Sequence, residues 1–435
     1  MSSAAASVRS ASVALASLLA LAAVVSTPAN VAAADAPAPQ QGPRSVMFVG
    51  NNHDGTADVV DVRTFEVLHR VDMIPDRDER LAEIHGDPVR LGFFLGIRHL
   101  IGQGSDQFVD DLFTSHDGRF VYASRPSFAD VVAIELETGD IAWRFPMEGQ
   151  RSDHMAISPD GTRLLVSDST ANKVHEIDTA TGKQTGEFAS GDSPHENEYY
   201  ADATRVLHAS IGRVYTPTDR SELGPIRDVT KGEEFLQVVD ADTLEVLKRW
   251  DIGAKLDEFG APDMSGAVRP MALAPDERTL FFQVSFHHGF VEFDLETEQV
   301  TRVAHLPLSQ AAADTPREDY LLDSAHHGLA IDPTGQKLCA AGTMSDYAAI
   351  VDRETFVPRL ASSGSKPYWA TTGPTGEHCW VSYSGDDQVA VIDYATEREI
   401  ARIDVGDHPQ RVRAGVVSRR VLASWGIIEL ANRSR

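Results

Sequence analysis

Cysteine is nearly absent, with two residues in a chain of 435. That excludes a disulfide-stapled scaffold, a Cys-rich zinc fold and a cysteine-ligated iron–sulfur protein. Basic residues are also scarce, 39 Lys and Arg against 65 Asp and Glu, for a formal net charge of −26. A surface this acidic repels phosphate backbones and anionic lipid, so nucleic acid is not an expected partner. No Gly-x-Ser-x-Gly, Gly-x-x-x-x-Gly-Lys-Ser/Thr or His-Glu-x-x-His occurs. Serine hydrolysis, P-loop nucleotide use and helical zincin chemistry therefore have no motif behind them. What is present is 42% hydrophobic and 24% charged residues, enough apolar material for a large core.

The one long apolar run is N-terminal. Arg9 is the only charge before Asp35, residues 11–25 are apolar, and Ala-Asn-Val-Ala-Ala-Ala occupies 29–34. This is the order of a basic n-region, an h-region and a small-residue cleavage site. The run is short for a membrane span and Pro28 follows it. The expectation is a signal peptide over 1–34, a flexible leader over 35–44 and one domain over 45–435. The protein is expected to be exported and soluble, a monomer with no integral membrane contact. Loss of Arg9 with the signal takes the net charge from −26 to −27.

The remainder repeats, and periodicity is tested before secondary structure. One unit recurs: an entry segment, Ser-Pro-Asp-Gly or a variant, an apolar strand, a polar loop, and an apolar strand ending in Asp-x-x-Thr. The clearest copy is 152–190, with strands A at 155–157, B at 164–167, C at 174–178 and D at 184–188. Other copies begin near 109, 194, 268, 326 and 367, making six. Residues 45–71 hold only B, C and D, while 408–416 resemble an unpartnered strand A. Joining them closes a ring and removes the exposed sheet edges of an open array. The prediction is all-β, one seven-bladed β-propeller closed by N-terminal strands B–D plus a C-terminal strand A. The repeats resemble the YVTN-type seven-bladed propellers, an exported family, in His-Pro at 408–409, Ser-Pro-Asp-Gly at 158–161, the segment 173–183 and the segment 388–396. The resemblance implies the fold and leaves the activity open, because this architecture hosts many functions. Insertions interrupt the pattern at 75–105, 216–233, 253–268 and 306–324. Three of them (75–105, 253–268, 306–324) join strand D to the next strand A, on the face where B–C loops also open.

Histidine placement is the chemical signal. Aligning the entry segments puts His154, Glu196, Trp369, Arg411 and Asp111 in one column. Asp110, Asp153, His195, Arg269, His327 and Tyr368 fall in the column before it. With His326, His408 and the B–C loop residues His53, His287 and His288, eight of the 16 His map to one mouth of the ring. Imidazole and carboxylate converging in a walled site suit a transition metal such as copper, zinc or iron, and equally suit acid–base work. The expected ligands are His154, His195, His327 and His408, then His288 and Glu196. Neighbouring residues on a strand point to opposite sides, so His326 and His327 cannot both hold one ion unless the backbone is irregular there. The placement resembles that in the propeller domain of copper nitrous oxide reductase, but the paired Cys of that enzyme's cupredoxin domain have no counterpart here. Arg269, Tyr368, Trp369, Arg411, Asp111 and Asp153 are the expected contacts to a small-molecule or peptide ligand. Alternatively the arginines pair with the neighbouring carboxylates. Cys339 and Cys379 lie in strand B of adjacent blades, offset by one position. They either face each other across the interface, where a disulfide forms, or face apart. Two functions follow as expectations: an exported metalloprotein with its site at the channel mouth, its status as an enzyme left open, or a non-enzymatic binding propeller.

Overall fold

The computed structural model describes residues 42–213, 226–320 and 324–429. The expected signal peptide, the leader up to residue 41, part of the 216–233 insertion and the extreme C-terminus lie outside the described residues. Seven four-stranded antiparallel sheets form a seven-bladed β-propeller. Blades 2 to 7 are continuous in sequence: 112–146, 152–189, 194–250, 268–305, 329–363 and 367–404. Blade 1 is composite. Its strand Pro409–Val417 pairs antiparallel with Arg44–Asn51, and Thr56–Asp61 and Val67–Asp72 follow outward. Phe48 lies opposite Arg413, so the ring is closed by strands more than 350 positions apart in the chain.

Local chemistry explains why the unit repeats. In blade 3 the Asp160 carboxylate accepts from the Ser158 hydroxyl at 2.6 Å and the Thr162 amide at 3.0 Å, and Gly161 takes the left-handed φ of +75° that the turn needs. At the end of strand C, Asp178 accepts from the Thr181 amide and hydroxyl at 2.8 and 2.6 Å. Asp240 with Thr243 and Asp352 with Thr355 repeat this contact. The middle strands are buried on both faces because each sheet is packed between two others; Arg163–Asp168 shows water only at its first residue. The outermost strand Gln184–Ala189 faces solvent and is polar in consequence.

The insertion at 75–105 is helical, which the strand repeat did not reveal. Helices Arg77–Gly86 and Pro88–Leu100 are separated by Asp87, whose side chain accepts from the Val89 and Arg90 amides. Ile84 and Phe94 enter the apolar core shared by blades 1 and 2. The 253–268 insertion likewise begins with a helix, Ile252–Phe259, capped by Asp251 and ended by Gly260 at φ +100°. Among the described residues no helix is long and apolar enough to cross a membrane.

Cys339 and Cys379 form a disulfide between blades 6 and 7, with Cα atoms 6.5 Å apart. The one-position offset therefore turns the two thiols toward each other. The bridge closes 40 residues of chain, a loop whose entropy in the unfolded state is worth about 4 kcal/mol in the chain-entropy picture. Replacing both cysteines by alanine is expected to lower unfolding free energy by about 2–4 kcal/mol. Urea denaturation of the oxidised, reduced and double-alanine proteins measures this, and equal midpoints for all three would contradict it.

Candidate metal centre

Strand A of each blade begins at the same face of the ring, and the first residues of blades 1, 3, 4, 6 and 7 converge there. His154, His195 and His327 are each buried, and one nitrogen from each lies within 4.8 Å of the others. The ring centroids of His154 and His195 are 3.9 Å apart, and His327 is 6.3 Å from His154 and 5.9 Å from His195. Two of the three rings are held from behind. His154 Nδ1 is 2.5 Å from a Glu196 carboxyl oxygen, and His327 Nδ1 is 3.4 Å from the Tyr368 carbonyl oxygen. A metal-binding imidazole is oriented in this way, with one nitrogen fixed by an oxygen, although the other nitrogen of His154 is contacted by Arg411. His195 Nδ1 is buried with no hydrogen-bond partner among the described residues. Buried polar atoms are seldom left this way.

A cationic layer lies against the three rings. The Arg411 guanidinium is fully buried, contacts His154 Nε2, sits 4.1 Å from the Trp369 ring centroid and has Asp110 at 3.7 Å. Its Nε and Nη1 have no hydrogen-bond partner among the described residues. Arg413 is held in two-point contact by Asp111 at 2.9 and 2.7 Å, and Arg151 pairs with Asp153. Three rim arginines, Arg151, Arg411 and Arg413, thus pair with neighbouring carboxylates. Arg269 donates to the Ser285 hydroxyl at 2.8 Å. Asp110, Asp153 and His154 form a second convergent group that shares His154 with the first.

Burial sets the protonation states. It drives the His154, His195 and His327 pKa values well below 6.5, and the adjacent arginines push the same way. Neutral imidazole is the form that binds a metal. Burial also raises Glu196 to about 8 and Asp110 to about 7.

The eight rim histidines separate into groups. His408 does not reach the three-His cluster, because its φ of +57° turns it onto His53, with the two rings stacked at 3.8 Å. His288 is also elsewhere, its Nε2 at 2.9 Å from the Tyr320 hydroxyl, and His326 approaches Tyr347. His287 bonds the Ala304 carbonyl. His326 and His327 point apart, as strand alternation requires. Of the residues expected to contact a ligand, Tyr368 stacks on His327 at 4.2 Å and Trp369 lies 5.8 Å from His154. Arg269, Arg411, Asp111 and Asp153 are likewise buried, so these six pack the channel rather than rim an open mouth. Sequence columns could not show that Arg411 meets His154, since side-chain reach across the channel is not a property of register.

The buried imidazoles make stability acid-sensitive. Outside the cluster, burial holds His208 and His408 at about 3 and His287 at about 4, against an ordinary 6.5. In the unfolded chain they gain protons as pH falls through 6.5, whereas in the fold they do not, so they remove stability below that pH. Glu198, raised by burial to about 7 from 4.5, acts oppositely, its contribution being present below 4.5 and lost as pH rises toward 7. These three imidazoles against one carboxyl leave two protons, about 3 kcal/mol per pH unit between pH 6.5 and 4.5, and burial of His326 adds in the same direction. Inside the cluster three lowered imidazoles face two raised carboxyls, a net effect of the same sign. The thermal midpoint of the metal-free protein is expected to fall steeply from pH 6.5 to 5; a flat profile would mean these imidazoles are not held neutral.

No family model matches the chain, and no curated protein does. Among solved structures the chain is similar to one of Kuenenia stuttgartiensis hydrazine synthase, with 15% identity and a TM-score of 0.52 over 69% of this chain and 88% of that one. At that identity the likeness bears on the propeller fold alone.

Proposed function

We propose that this is an exported β-propeller protein that binds one transition-metal ion through His154, His195 and His327 at one end of its central channel. The observation that carries the proposal is the convergence of three neutral, buried imidazoles, two of them oriented from behind by oxygen atoms. Three nitrogen donors suit zinc, copper or iron, and a three-histidine ion keeps a further position for water or substrate, where it supplies Lewis-acid or redox chemistry. Glu196 fixes the His154 tautomer and the Tyr368 carbonyl fixes that of His327. Arg411, which contacts His154 Nε2, would have to leave that nitrogen for an ion to bind there, and Asp110 at 3.7 Å is the carboxylate beside it. Trp369 and Tyr368 wall the site and keep it dry. Export is supported by the N-terminal segment and by the disulfide, which persists in oxidising compartments.

Elemental analysis of the protein, secreted through its own signal and purified without a His tag, tests the reading. Near-stoichiometric copper, zinc or iron is expected. No metal, even after incubation with each ion, would overturn it. The second reading, a non-enzymatic binding propeller, is favoured by one observation, the arginine and carboxylate side chains that already fill the channel beside the imidazoles.

A further inference from the structure

The channel is not filled throughout its length. Beyond the histidines, toward the turns that join strands A and B, it opens into a cavity of about 440 Å³ lined by residues of all seven innermost strands. That volume lies in the range of small-ligand sites. Its wall is apolar, with Phe113, Ile157, Met271, Leu273 and Ile331 prominent. Only three acidic or basic side chains line it: Glu196, Glu198 and Arg413. Two are already committed, Glu196 to His154 and Arg413 to Asp111. Glu198 is not. Among the described residues its one hydrogen bond is a long one from the Leu273 amide, 3.4 Å, and it has no ion-pair partner within 4 Å.

We infer that this cavity is a binding site for a small apolar molecule bearing a protonated amine, with the ammonium on Glu198 and the hydrocarbon body against the aliphatic and aromatic wall. Glu198 is mostly enclosed by protein, and the one cation near it, Arg413, is already held in two-point contact by Asp111. An ammonium in direct contact offsets the cost of that carboxylate. A metal ion is a poor occupant, because Glu196 is held by His154 and Glu198 with apolar neighbours cannot complete a coordination shell. An anion would face two glutamates, and the one arginine already holds a carboxylate in two-point contact. In the column of equivalent strand positions Glu198 stands with Ala156, Ala272, Ala330, Thr371, Phe113 and Arg413. Burial raises the Glu198 carboxyl to about 7, so binding a cation is accompanied by proton release near neutral pH.

The inference does not depend on the metal at the histidines, which allows a separate test. Calorimetric titration of the metal-free, full mature protein with 2-phenylethylamine, 2-phenylethanol and 3-phenylpropionate compares a cation, its neutral twin and an anion. The amine is expected to bind about tenfold or more tightly than the alcohol, the value of a charge-assisted hydrogen bond, and the anion not at all. Glu198→Gln is expected to bring the amine down to the alcohol's affinity and leave the alcohol unchanged. Ile331→Trp, which fills the cavity, is expected to abolish both and serves if Glu198→Gln does not fold. Equal binding of amine and alcohol, no binding of the amine, or unchanged amine affinity in both variants would overturn the inference, whatever the metal content of the protein.

Discussion

A His154→Ala/His195→Ala double variant is expected to fold and to be purified with less than about a tenth of the wild-type metal. Loss of an outer oxygen partner alone typically costs 10- to 100-fold in metal affinity, and loss of two of three donors costs more. Folding is expected to survive because neither truncation strands a charge. Glu196 loses its imidazole partner, but burial already holds its carboxyl near 8, so it stays protonated at neutral pH. Arg411 loses one neutral contact and keeps Asp110 and the Trp369 ring. Neither imidazole belongs to the apolar clusters between blades. Glu196→Gln is the graded companion, expected to weaken binding by about 10- to 100-fold without abolishing it. Elemental analysis together with circular dichroism distinguishes loss of metal from loss of fold. Wild-type metal content in a folded double variant would remove the three-histidine site from consideration.

Asp130→Asn is expected to cost about 3–5 kcal/mol of stability, the effect of removing one partner from a buried ion pair. Asp130 is inaccessible to solvent and lies between two guanidiniums. Arg125 donates to both of its oxygens at 2.8 Å, and Arg144 donates at 2.5 Å. Arg125 is itself fully buried and reaches across to Asp76 and to the Met73 carbonyl. This network joins blade 2 to the start of the helical insertion, where Asp76 immediately precedes the helix Arg77–Gly86. A neutral amide leaves one carboxylate, Asp76, for a buried arginine and turns an NH₂ group toward two cations. Arg125→Met/Asp130→Asn is expected to recover part of the loss, because the stranded charge is then gone. Urea denaturation measures both. A single-variant loss under about 1 kcal/mol would show that water reaches Arg125, contrary to its burial.

Much of the fold was legible because its determinants are local. Asp160 with Ser158, and Asp178 with Thr181, make turns from contacts two or three residues apart, and such turns leave a pattern in the sequence. The composite blade was legible from arithmetic, three strands at one end and a lone strand A at the other. The helices at 75–105 were overlooked because their amphipathic pattern falls between units of a strand repeat.

The site was legible only as columns. Alignment placed His154, His195 and His327 at one mouth of the ring, but with His408 expected as a ligand equally with them, and His288 next with Glu196. A column fixes which ring of backbone a residue belongs to. It does not fix where the side chain ends. That is decided by backbone sign at His408, by the blade opposite for Arg411, and by which neighbours fill the channel around Glu198. Sequence alone determined the number of blades, their closure and the enrichment of histidine at one rim, because turn chemistry and strand alternation act over a few residues. Tertiary structure decided which three imidazoles share a point, which arginine contacts them and where the channel stays open, because those depend on distances across the ring between strands far apart in the chain.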